Sequence, residues 1–132
     1  MPNAPTGTLR EHLDLLRRHA QEGEEARKPG TPRLREGCWA LEEVVASALG
    51  LHAALRSRDE ATRLAWARGE PYSAEAERGL NDLFGVWLEA VEILRPAIEH
   101  CRGEQGSVAG ADELLDLCSS VRSTQDELAA ER

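Results

Sequence analysis

Between Leu80 and Cys101 the apolar residues fall at Leu80, Leu83, Phe84, Trp87, Leu88, Val91, Leu94, Ile98 and Cys101. That is a helical period held for about six turns. A stripe of this length has to be covered from end to end, so the chain must fold around one long helix and supply others to bury it. Ser73 stands where an N-cap is needed, and Glu75 and Glu77 sit in the first turn, where the helix dipole favours carboxylates. Pro96 lies opposite the stripe and allows a kink without harming the packing face. Gly103 and Gly106 mark the end, so the spacing predicts a helix over about 74–102.

Three further segments carry the same kind of pattern. Thr8 and Glu11 form a T-x-x-E capping box, and Leu9, Leu13, Leu16 and Ala20 follow as a narrow stripe, predicting a helix over 9–22 after a disordered tail at 1–7. Gly23, Pro29, Gly30 and Pro32 then read as a loop. From Leu34, the residues Cys38, Leu41, Val45, Ala48, Leu49 and Leu55 predict a long helix reaching Arg68, before Gly69 and Pro71. Gly50 is a weak spot in it, and Ser57 with Glu60 makes a second capping box, so this helix either continues, kinks or restarts at Arg58. Leu114, Leu117, Cys118, Val121 and Leu128 predict the last helix, over 110–130.

Four amphipathic helices, short connections and no alternating strand pattern predict an all-α, single-domain antiparallel four-helix bundle over 8–132, with a long second helix. The middle two helices are longer than the outer two. Part of their length is left uncovered in a monomer, and a homodimer would cover it.

Charge narrows the function classes. The net charge is −8, which excludes general nucleic-acid binding through a basic surface. Residues 1–68 hold 11 Lys and Arg against 10 Asp and Glu, whereas 69–132 hold 5 against 14. The acidic second half suits a basic protein partner, with Glu75, Glu89, Glu92, Asp112 and Asp116 contributing. No apolar run approaches transmembrane length, and the first residues lack the apolar core of a signal peptide, so a cytoplasmic, membrane-free protein is expected. Cys38, Cys101 and Cys118 each sit among apolar helical positions and read as buried, reduced thiols.

The second helix holds the least ordinary row. His52 continues its apolar stripe, and Arg56, Asp59 and Arg63 follow at steps of four, three and four, all on one side of a continuous helix. Asp59 can pair with either arginine. With Trp66 as an apolar anchor, the row reads as a contact surface, and His52 as a candidate ligand-binding residue in the bundle.

Searches for chemistry end differently. Glu-x-x-His pairs and Cys-x-x-Cys clamps are absent from the sequence, so neither a metal nor any other cofactor is expected. No nucleophile elbow, phosphate-binding loop or dinucleotide fingerprint occurs. Arg95-Pro96-Ala97-Ile98-Glu99-His100 reads R-x4-H, which resembles the signature of HEPN ribonucleases over those six residues. Those are small all-helical bundles, often dimeric, in which a paired Arg and His act on RNA. The resemblance implies an alternative role, a metal-independent ribonuclease using Arg95 and His100. The leading expectation is a non-enzymatic, adaptor- or antitoxin-like bundle that self-associates.

Overall fold

The computed structural model describes residues 6–26, 34–106 and 108–130, with side chains described within 9–22, 41–103 and 108–130. Four helices account for nearly all of it: α1 (Thr6–Ala26), α2 (Leu34–Ala67), α3 (Ala74–Gln105) and α4 (Ala111–Ala130). Among the described residues there is no strand. Among the described residues no helix is long and apolar enough to cross a membrane.

Several boundaries differ from the sequence expectation. Thr6 and Gly7 belong to α1, which also runs through Gly23 to Ala26. One helical glycine is tolerated there because Glu22, Glu24 and Glu25 around it are good helix formers. The second helix is unbroken through Ser57. Ser57 caps nothing there: a cap must leave helical geometry, and Leu55 on one side and half-buried Arg58 and Asp59 on the other hold the turn in register. At the end of α3, Gly103 stays helical and Gly106 is the C-cap. Its φ of 86° is left-handed, and its N–H donates to the Arg102 carbonyl. Ser73 caps α3 as read, with φ −121°, its Oγ accepting from the Ala76 N–H at 3.1 Å.

The core follows the stripes. Leu80, Leu83, Trp87, Val91, Leu94, Ile98 and Cys101 of α3 are all buried, as are Leu9, Leu13, Leu16 and Ala20 of α1. From α2 come Leu41, Val45, Ala48 and Leu55, and from α4 Ala111, Leu114, Cys118 and Val121. Every helix touches α3, and α1 packs on it most extensively. Both α1 and α4 also reach α2, but they make no contact with each other among the described residues. The arrangement is a diamond in which α2 and α3 form the shared middle and α1 and α4 lie apart.

Contact registers fix direction. Ala48 and His52 of α2 meet Trp87 and Phe84 of α3, while Trp66 meets Tyr72, so α2 and α3 run in opposite directions. Arg102–Asp112, Arg95–Cys118 and Asn81–Gln125 give the same result for α3 and α4. The connection before α4 turns at Gly110, whose φ is 78°. A Cβ there would lie 2.9 Å from Leu49 Cδ1 and 3.4 Å from Val45 Cγ1, so glycine is required twice over.

Two expectations for cysteine separate. Cys118 is a buried free thiol. Cys101, expected to be reduced, is disulfide-bonded. The side chain of Cys38 lies outside the described residues.

Candidate functional site

Core packing on α2 stops at Leu55, and on α3 it starts at Leu80; between them, over 56–79, no residue is buried. The end of α2, the turn and the start of α3 therefore project past the four-helix part as an arm. From Leu55 to Ala67 it extends about 18 Å at the helical rise. Its turn is closed by Gly69, at φ 96°, whose N–H donates to the Trp66 carbonyl at 3.0 Å.

The arm is apolar at its tip. Trp66 is half-buried, and its ring lies 4.8 Å from that of Tyr72 at an interplanar angle of 54°. Tyr72 itself is 60% exposed, and so is Leu64. The Tyr72 hydroxyl donates to the Glu77 carboxylate, which holds its pKa above the ordinary value. Leu64 and Tyr72 were not legible as site residues, because nothing in their sequence spacing separates an exposed apolar residue from a buried one. Charge on the arm is balanced: Arg56, Arg58, Arg63, Arg68 and Arg78 stand against Asp59, Glu60, Glu70, Glu75 and Glu77.

The polar row of α2 straddles the boundary between core and arm. His52 is buried, 7% exposed, with its ring 5.0 Å from Trp87 and 6.1 Å from Phe84 in an edge-on contact. Burial, helped by the nearby Arg56 charge, lowers its pKa from 6.5. Arg56 is exposed, Asp59 is half-buried, and Arg63 pairs with Asp59 at 3.1 Å while its own side chain remains 74% exposed. The structure thus brings Arg56, Asp59, Arg63 and Trp66 onto the arm and leaves His52 in the core.

The acidic candidates divide as well. Glu89 pairs with Arg17 of α1 at 3.0 Å, and Asp112 pairs with Arg102 at 2.8 Å. Glu92 is the centre of a denser group between α3 and α4. It accepts from Arg122, from the Cys118 thiol at 3.0 Å and from Arg95 at 3.4 Å, and the Arg95 Nη2 is 3.7 Å from the Cys118 sulfur. Burial raises the Cys118 pKa, and Arg95 partly offsets it. Glu75 and Asp116 are exposed. Of the carboxylates read as one acidic face, three are therefore engaged within the chain.

Arg95 and His100 are differently placed from a free catalytic pair. Arg95 is held by Glu92 and Cys118. His100 is half-buried, and its Nε2 is enclosed without a hydrogen-bond partner. Among the described residues, no group of three or more His, Cys, Asp or Glu is placed to hold a metal ion.

A second feature lies away from the arm. A half-open groove of about 580 Å³ runs between α1 and α2, lined by His12, Leu15, Leu16 and His19 on one side and Glu43, Val44, Ser47, Gly50 and Leu51 on the other. Its lining mixes apolar Leu15, Leu16, Val44 and Leu51 with polar His12, His19, Glu43 and Ser47. Compared with known protein families, with curated proteins and with solved structures, the chain matches none.

Proposed function

We propose that this protein is a non-enzymatic interaction module that self-associates through the α2–α3 arm and offers a basic protein partner an acidic face. The observation that carries the reading is the arm itself, a projecting hairpin on which Leu64 and Tyr72 are each 60% exposed and Tyr72 packs against the half-buried Trp66. Large exposed apolar side chains among charged ones, with an aromatic pair at the tip, are the composition of a contact surface. A neutral arm also suits contact between identical chains, since like charges do not accumulate across a twofold axis.

The acidic face is best supported along α4, where Glu113, Asp116, Asp126 and Glu127 are exposed beside Asp112, which pairs with Arg102. Residues 80–132 hold four arginines against eleven carboxylates. A cytoplasmic setting belongs to the same reading. The disulfide at Cys101 weighs against it, because disulfides persist in oxidising compartments.

Light scattering across a concentration series tests the proposal. The parent should form a dimer, and Leu64→Glu combined with Tyr72→Glu should return it to a monomer. A parent that stays monomeric at every concentration overturns self-association.

A further inference from the structure

We infer that the α1–α2 groove is the receptor for the arm of a second copy of this chain, the two copies exchanging arms reciprocally. The inference rests on the self-association proposed above and adds where the arm docks.

Gly50 is the starting point. It sits inside α2, where glycine costs about 1 kcal/mol relative to alanine. Its backbone is not left-handed, and a Cβ built on it would meet nothing within 4 Å. Neither chain conformation nor packing against the described residues calls for a glycine there. What its missing side chain provides is open space on the wall of the groove. Across that space Leu15 is 44% exposed, so the opposite lip is also an apolar surface without full cover. At about 580 Å³ the groove falls within the range of sites that accept a body larger than one side chain.

The chain displays a matching occupant. Leu64 and Tyr72 are exposed and apolar, and the same stretch of α2 as Leu64 carries the exposed cations Arg56 and Arg63, the latter paired with Asp59. The groove offers apolar Leu15, Leu16, Val44 and Leu51 together with the Glu43 carboxylate. Apolar meets apolar, and cation meets anion. An arm does not reach its own groove, because Gly50 and Leu64 lie on one unbroken helix, about 21 Å apart. The occupant therefore comes from another copy, and a twofold axis makes the same contact twice.

Two substitutions and their mixture test this. Gly50→Leu fills the groove, and Leu64→Glu spoils the arm. Each alone should weaken dimerisation about tenfold or more. Gly50→Ala, which takes only a methyl's worth of that space, should weaken dimerisation less than Gly50→Leu, and circular dichroism should show all three folded. When Gly50→Leu and Leu64→Glu are mixed, the first supplies an intact arm and the second an intact groove. Native mass spectrometry should then show a heterodimer although neither variant pairs with itself. If Gly50→Leu dimerises like the parent while Leu64→Glu does not, the arm docks elsewhere; the inference falls and the proposed self-association stands. Absence of the heterodimer from the mixture also overturns the inference. A parent that never dimerises removes both.

Discussion

Trp87 and Ala48, 39 positions apart in the chain, are joined by one hydrogen bond, the buried indole N–H donating to the backbone carbonyl at 2.8 Å. The bond gives a fully enclosed indole the partner it needs and fixes α3 against α2 at one level. Trp87→Phe removes that bond and part of the ring volume. The loss expected is about 2–3 kcal/mol, read as a lower urea midpoint at unchanged slope. A loss below about 0.5 kcal/mol would mean that the indole is not a tie between the two helices.

His52 makes stability depend on pH in a definite direction. Its folded pKa is below 6.5, so the unfolded chain binds the proton more readily. The stability concerned is fully present above pH 6.5 and is lost as pH falls through the folded value. Thermal melts between about pH 5 and 7.5 should show that decline. In His52→Leu the same limb should be flatter, and an identical acid limb in the variant would assign the decline to other groups.

Gly110→Ala places a methyl where Leu49 Cδ1 is 2.9 Å away and imposes φ 78° on a residue that resists it. The two costs together should amount to about 1–3 kcal/mol. Gly50→Ala, by contrast, enters open space within a helix and should raise stability by about 0.5–1 kcal/mol. Chemical denaturation of the two variants side by side checks both signs.

The cysteines should respond to alkylation in three different circumstances. In the native protein Cys118 should stay unlabelled, being buried and hydrogen-bonded to Glu92. In denaturant without reductant Cys118 should label, and Cys101 should label only after reduction. Peptide mapping after each step reads this directly, and Cys101 labelled before reduction would contradict the disulfide.

Glu92→Ala would leave Arg95, Arg122 and the Cys118 thiol without their shared acceptor. The expected loss is about 1–3 kcal/mol. Arg63→Ala, at a 74% exposed side chain paired with Asp59 on its own helix, should change stability by less than about 0.5 kcal/mol. Equal losses from the two would show that the group around Glu92 contributes no more than an exposed pair.

Much of the fold was legible because helical burial is periodic. The stripe from Leu80 to Cys101 is the buried face of α3, and Ser73 caps it through the contact its type and place imply. Ala90 and Ala97 are buried too, yet alanine occurs readily at exposed helical positions, so its spacing is a weaker signal than that of a leucine. The S-x-x-E at Ser57 is the same local signal as a true cap; only packing along both sides of α2 decides that the helix continues. The group around Glu92 joins residues 26 positions apart, between Glu92 and Cys118, so it exists only once α3 and α4 are neighbours. Of the site, the row from Arg56 to Trp66 was visible as charged residues on an apolar face. Tyr72 and Leu64 emerged only when the end of the core was known.

The absence of contact between α1 and α4 has a consequence for how the molecule comes apart. Each outer helix holds to the α2–α3 pair alone, so detaching one breaks none of the contacts that hold the other. Amide protons of α1 and of α4 should therefore exchange through separate openings, each short of global unfolding, with the slowest exchange left to the middle of α2 and α3. In refolding, the α2–α3 hairpin has local contacts enough to form first, and the outer helices can then add in either order.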